Sequence, residues 1–366
     1  MMLLNTLVFA ALSLGPLAAH AHPGETFNKR AHMDEIANAH AVADVNARAL
    51  EACQNRPDVK ERRERAVARR AATFERLRRE KGLQDESFLH RRDAASLRQW
   101  MAKSHDKSSL KYTKDTPISE LFGSNTSCIL TPDNANGPYF VYQEQIRSNV
   151  VEDVKGVPMH LELQFIDVNT CKPANVLIDI WSCNSQGVYS GVSAAGEGGL
   201  GTTYLRGVQP TDKDGVVNFD TLFPGHYSGR ATHEHIIAHV GSKVLDNGTY
   251  TGGQVAHLSQ LFFDQSLIDT IEATAPYSTN RIARTSNSAD GFTGYAASPN
   301  YDPFPNYAML GSGVAGGLFV WAELGINTSS NWDYYAPYAS TWKEGGGYNN
   351  PKFNMMVVAT PPPTHG

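Results

Sequence analysis

The chain has 366 residues, with 32 Lys and Arg against 37 Asp and Glu, a formal net charge of -5. That balance offers no basic field of the kind nucleic acid demands, and the 41% hydrophobic composition is that of a globular protein with room for one large domain or two small ones. No apolar run is long enough to span a membrane.

Residues 1–21 have the form of a secretory signal peptide. Leu7 to Leu14 is an apolar core, Pro16 interrupts it, and Ala19-His20-Ala21 supplies a small-x-small cleavage site, although no Lys or Arg precedes the core. Cleavage there leaves His22-Pro23-Gly24 as a loose terminus. Two further features fit a secreted, extracellular protein. Asn125-Thr126-Ser127, Asn247-Gly248-Thr249 and Asn327-Thr328-Ser329 are glycosylation sequons in polar, turn-like stretches. Cys53, Cys128, Cys171 and Cys183 form an even set, compatible with two disulfides in any of three pairings. There is no Cys-x-x-Cys pair, which argues against a zinc site on sulfur.

Residues 22–110 read as a helical segment. Ala37, Ala41 and Val45, then Ala66, Ala71 and Phe74, recur at helical spacing. Asn55-Arg56-Pro57 suits a helix start and Gly82 a stop, so an antiparallel helical pair is expected, with a third helix near residues 94–103. The second helix carries Arg62, Arg63, Arg65, Arg69, Arg70, Arg76, Arg78 and Arg79. The preferred reading is a solvated face with Glu61, Glu64 and Glu75 as local partners. A propeptide cut at Arg69-Arg70 and an anion-binding surface are the sharper alternatives.

Residues 111–290 are expected to form a β-sandwich core. The segments 160–166, 176–181, 216–219, 236–240 and 258–263 are short apolar or alternating runs separated by Gly, Pro and Asp turns. Gly137-Pro138-Tyr139-Phe140 leads into them and reads by itself as a plain turn followed by a core strand. Residues 291–366 are rich in Gly, Tyr, Asn and Pro and read as a C-terminal extension of long loops, packed on the core or partly disordered, with one strand near 317–322.

The chemistry concentrates between residues 179 and 235. Alternation along a strand puts His233 and His235 on one face, and Tyr227 has the same parity. A His-x-His pair alone is usually two ordinary half-buried histidines, and a tyrosine alone is usually a core or interface residue. Together with Tyr189 they make a hard, anionic N/O shell that suits trivalent iron better than zinc. Arg230, three residues before His233, adds a permanent cation suited to stabilising negative charge as it develops. The combination points to oxygen chemistry on a phenolic substrate.

Five pieces carry a family resemblance: Asp179-Ile180-Trp181, Gly187-Val188-Tyr189, Pro224-Gly225-His226-Tyr227, Arg230-Ala231-Thr232-His233-Glu234-His235 and Gln260-Leu261-Phe262-Phe263-Asp264. In order and content they resemble the intradiol ring-cleavage dioxygenases, and the overall look is that of secreted, eukaryotic-type members. The resemblance spans residues 137–264. It implies a non-haem Fe(III) held by Tyr189, Tyr227, His233 and His235, with Tyr227 displaced by substrate and acting as base. Arg230 would stabilise charge, and Gln260, Pro138 and Tyr139 would line the substrate site. The implied reaction cleaves a catechol with O2 to a muconate-type diacid. The helical segment would serve packing or a homodimer. Two departures stand out: the Tyr227–His233 segment is shorter than in bacterial members, which should open one pocket wall, and Glu234 replaces an apolar residue. The alternative is a secreted protein that binds iron or phenolics without turnover.

Overall fold

The structure is a computed structural model that describes residues 45–46, 48–86, 105, 136–297 and 302–353. The signal peptide, the helix expected near 94–103, Asn125 and Cys128 lie outside these residues.

Two four-stranded sheets face each other. The first runs β10 (Asn306–Met309), β11 (Leu318–Ile326), β2 (Pro158–Asp167), β5 (Val216–Leu222). The second runs β4 (Arg206–Pro210), β3 (Leu177–Trp181), β6 (His233–Val240), β9 (Gln254–Phe262). Strand alternation sorts their side chains. Leu161, Leu163 and Phe165 of β2, Val320 and Leu324 of β11, Ile178 and Ile180 of β3, and Ile236 and Ala238 of β6 share one buried core. Helix α2 (Gln265–Glu272) adds Leu267, Ile268 and Ile271 to it. The β-sandwich expected from sequence is present.

Its extent differs from the expectation. β10 and β11 lie beyond residue 290; β11 is the strand expected near 317–322, and it pairs in parallel with β2 along Leu318–Ile326, so the sandwich is completed from the C-terminal extension. A parallel pairing between strands this far apart in sequence leaves no local signature. The remainder is a strap that packs on the second sheet. Its short strand β12 (Ser340–Thr341) pairs with β1 (Val141–Tyr142) and with β13 (Tyr348–Asn349). The backbone N–H groups of Trp332, Ala339 and Trp342 donate to the carbonyls of Val255, Phe140 and Tyr142.

Helix α1 (Pro57–Glu80) covers the outer face of the first sheet, with Phe74 and Leu77 on Phe319 and Trp321. Pro57 opens it, and Gly82, at φ +67°, closes it: the N–H groups of Gly82 and Leu83 donate to Arg79 O and Arg78 O, a left-handed stop that glycine adopts without strain. The arginine run is a solvated face only in part: Arg76 and Arg79 are exposed and pair with Glu80 and Glu75 one turn away, whereas the others turn to the sheet. Arg62, Arg70 and Arg78 are buried. Arg70 and Arg69 reach Glu162 of β2 at 2.8 and 3.1 Å, and Arg65 reaches Asp214 at 2.7 Å. Residues 48–53 continue the helical segment ahead of α1, and a Cys53–Cys171 disulfide fastens it to the β2–β3 connection. Cys183 is buried and has no disulfide partner among the described residues.

Candidate active site

The site lies on the outer face of the second sheet, at the start of β6. Its side chains come from the β3–β4 and β5–β6 loops and from strand ends at one end of that sheet, and the C-terminal strap borders it. Cross-strand register explains the first row of side chains. Trp181 of β3 sits opposite His235 of β6, and His235 sits opposite Gln260 of β9, so all three project from one face. Trp181 stacks flat on His235, with ring centroids 4.6 Å apart and planes 6° off parallel. The Gly137 backbone approaches the ring so closely that an added Cβ would stand 3.1 Å from His235 Cε1; its φ of +77° is also one that glycine tolerates best.

His233 Nδ1 donates to Ala231 O at 2.6 Å. That fixes the proton on Nδ1 and leaves Nε2 with its lone pair. Nε2 faces His235 Nε2 at 3.0 Å and the Tyr227 hydroxyl at 3.4 Å. Tyr189 completes the group. Its ring meets Tyr227 edge to face at 5.4 Å and His235 at 6.2 Å. Its hydroxyl is buried beside the Tyr227 hydroxyl and forms no well-aligned hydrogen bond among the described residues. Burial pushes the Tyr189 phenol well above the usual tyrosine range, and the neighbouring Tyr227 phenol adds to it. Burial also raises Tyr227, to about 12, against the opposing charge of Arg230.

Two imidazole nitrogens and two phenols gathered in one buried group fit a cation that deprotonates the phenols. Among the described residues no group of three or more His, Cys, Asp or Glu gathers into a metal site, so a metal held here would depend on Tyr189 and Tyr227. The donor set is N/O and hard, as iron(III) prefers.

Arg230 is fully buried beside this group. Nη1 donates to the Tyr227 hydroxyl at 3.4 Å and Nη2 to Gln260 Oε1. Nε donates to Asp290 Oδ2 at 3.0 Å, and Phe292 lies under the guanidinium, 4.4 Å from Cζ to the ring centroid.

Comparisons with known proteins bear on this site. The sequence matches the dioxygenase family over residues 135–246, which holds all four candidate ligands and Arg230 and ends before Gln260. The intradiol ring-cleavage dioxygenase of Tetranychus urticae is 33% identical over 56% of this chain and 97% of its own, with a TM-score of 0.47. This chain belongs to the intradiol ring-cleavage dioxygenase family. The dioxygenase domain of a carbohydrate-binding fusion from Streptomyces sp. SirexAA-E is 24% identical over 53% of this chain and 97% of its own, TM-score 0.34. Catechol 1,2-dioxygenase from Pseudomonas arvilla C-1 is 19% identical over 57% of this chain and 65% of its own, TM-score 0.37. No curated protein matches the chain.

Against the family pattern, Glu234 behaves as strand alternation requires. It points away from the site into the sandwich, where burial lifts its carboxyl to about 8. Gln260 holds the Arg230 side chain through Oε1. Tyr139 reaches the site, its ring 4.7 Å from that of Tyr189, while Pro138 is buried between Gly137 and Tyr139. Trp332, Tyr335 and Tyr338 join Tyr139, Tyr189 and Tyr227 in one apolar cluster, so aromatic side chains of the strap border the site. Asp290 is the residue that sequence reading missed. The only local signal was an Asp before Gly291-Phe292-Thr293, the pattern of a helix cap.

Proposed function

We propose that the chain is an iron(III)-dependent intradiol dioxygenase that inserts both atoms of O2 into a catechol, opening the ring between the two hydroxylated carbons to a muconate-type diacid. The carrying observation is the approach of His233 Nε2, His235 Nε2 and the Tyr227 hydroxyl, with the buried hydroxyl of Tyr189 beside them. These four side chains would hold the metal. When bound there, iron(III) supplies Lewis acidity and draws electron density from the catecholate.

The remaining work falls to the chain. Tyr227 is the candidate ligand that Arg230 contacts, and its phenol oxygen would be placed to accept a catechol proton. Arg230 Nη1, turned to the same oxygen, would stabilise negative charge arising on the substrate ring and its oxygens. Trp181 holds the His235 ring by stacking, and Gly137 packs against its Cε1. The aromatic cluster around Tyr139, Trp332 and Tyr338 excludes water. Oxygen uptake on catechol, hydroxyquinol and 3,4-dihydroxybenzoate tests this. Stoichiometric uptake with ring-opened acid supports it, and binding of catechols with no uptake supports a non-catalytic phenolic binder instead.

The same reading places the protein outside the cell, with residues 1–21 removed. The Cys53–Cys171 disulfide supports it, because such bonds persist in oxidising compartments. Asn247 is exposed on a turn and would carry a glycan; Asn327 is half-buried, its Oδ1 accepting from Asn169 at 2.7 Å. Any pairing of two copies through α1 would have to use its outward, charged face, since the inward face lies on the chain's own sheet.

A further inference from the structure

Tyr189 lies in the connection between β3 and β4, residues 182–205, which contains no helix or strand. Its ring keeps one place only if contacts from outside that connection fix the backbone. Cross-strand register supplies one. Arg206 of β4 sits opposite Trp181, Trp181 opposite His235, and His235 opposite Gln260, so Arg206 stands on the site face of the sheet at the far end of the same row. Its side chain is 1% exposed. Nε donates to Ser190 O at 3.0 Å and to Ser190 Oγ at 2.9 Å, and Nη1 donates to Glu144 Oε1 at 3.3 Å. Nη2 makes no hydrogen bond among the described residues, so Nε and Nη1 carry the anchorage. The loop comes so near that a Cβ added at Gly191 would stand 3.2 Å from Nε, and the Gly191 φ of +74° suits the one residue without a Cβ. Glu197 Oε2 accepts from Tyr189 N at 2.5 Å and Thr202 Oγ1 from Gly191 N at 3.2 Å, but both belong to the same connection. Ser340 Oγ, donating to Gly191 O at 2.6 Å, ties it to the strap. Arg206 ties it to the sheet that carries the histidines.

We infer that Arg206 is a positioning residue for Tyr189: it holds Ser190 so that the phenol next to it in the chain stays in the buried group with Tyr227 and His235. The inference rests on the proposed role of Tyr189 as a metal ligand. Arginine suits the task, because its planar fork fixes Nε on Ser190 and Nη1 on Glu144 at once, whereas a lysine brings a single ammonium on a flexible stem. Without the guanidinium, Ser190 O loses this donor while buried, a cost the loop relieves by turning the backbone that carries Tyr189.

The test uses the full-length chain. Arg206→Lys keeps the charge and loses the fork, Tyr189→Phe removes the phenol, and the two are also combined. Glu162→Leu, which breaks a buried ion pair on the other sheet, controls for lost stability. In the metal-free proteins, hydrogen exchange at residues 189–191 should be about tenfold faster in Arg206→Lys, with β6 as protected as in the wild type. In the iron-loaded proteins, Arg206→Lys should weaken iron affinity by about tenfold and shift the visible phenolate band, whereas Glu162→Leu should leave loop exchange, affinity and band unchanged. In the Tyr189→Phe background, Arg206→Lys should move neither affinity nor band further, because its effect passes through Tyr189. If Arg206→Lys does not fold, Ser190→Ala, which removes one acceptor of Nε and keeps the pair with Glu144, should show the same changes at smaller size. Wild-type loop exchange, affinity and band in the folded variant, or shifts that simply add to those of Tyr189→Phe, would overturn the inference and leave Arg206 a structural residue. A wild type that takes up no iron contradicts the ligand reading of Tyr189, while loop exchange still decides whether Arg206 holds the loop.

Discussion

Trp181 lies on His235 as a parallel plate, 4.6 Å away, because β3 and β6 place them directly opposite each other. The indole can therefore fix the imidazole plane without touching a metal. Trp181→Leu keeps the apolar contact and loses the plate. The expected outcome is a folded protein whose iron affinity falls by about 10–100-fold, the usual effect of disturbing a ligand's supporting shell. Metal titration into apo protein measures it, and an unchanged affinity would show that Gly137 and the strand suffice.

Arg230 and the histidines should separate cleanly. His233→Ala or His235→Ala should abolish iron binding. Arg230→Ala should retain iron and colour while kcat falls by ~10²–10³-fold, since its proposed action is on developing charge. Equal iron loss in all three would remove the basis for a catalytic Arg230.

The helix-to-sheet ion pairs make a stability prediction. Arg70 and Glu162 have side chains 1% and 0% exposed and meet at 2.8 Å. Glu162→Leu leaves Arg70 buried beside an apolar group, with an expected loss of about 3–5 kcal/mol. Pairing Glu162→Leu with Arg70→Met should recover most of it. Denaturant unfolding of the three proteins checks the sign.

His105 gives a pH dependence. Burial alone would lower its pKa, but hydrogen bonds from both ring nitrogens to the Asp264 and Asp302 carboxylates, at 2.7 and 2.8 Å, raise it to about 9. A folded-state pKa above the unfolded value near 6.5 means that the stabilisation is full below about pH 6.5 and disappears as pH rises through 9. Thermal unfolding should show wild type more stable than His105→Asn at pH 6 and the gap closing by pH 10. A constant gap would contradict the charged pair.

How much of this was written locally in the sequence varies by residue. The parity of His233 and His235, the path of Glu234 away from the site and the strand around 160–166 follow from a period of two, whereas the strand around 176–181 follows from a continuous apolar run that is buried throughout. The short strand β4 carries Gly207 and no comparable pattern. The arginines of α1 looked solvated because their local acidic neighbours satisfy the helical i, i+4 rule, whereas Glu162 and Asp214 lie about a hundred residues on and become partners only when the helix docks. Asp290 escaped for the same reason: its bond to Arg230 joins positions 60 residues apart across a segment without periodicity. The open wall expected from the short Tyr227–His233 segment is likewise a local inference, and the strap aromatics that border the site come from more than a hundred residues downstream.

The central claim is that Tyr189 and Tyr227 join His233 and His235 on iron(III). Visible absorption of the iron-loaded protein, wild type against Tyr189→Phe and Tyr227→Phe, tests it most directly. The account predicts a red to purple wild type with phenolate-to-iron charge transfer, and a changed or weakened band in each variant. A colourless wild type that takes up zinc in place of iron, or a band indifferent to both substitutions, would contradict it.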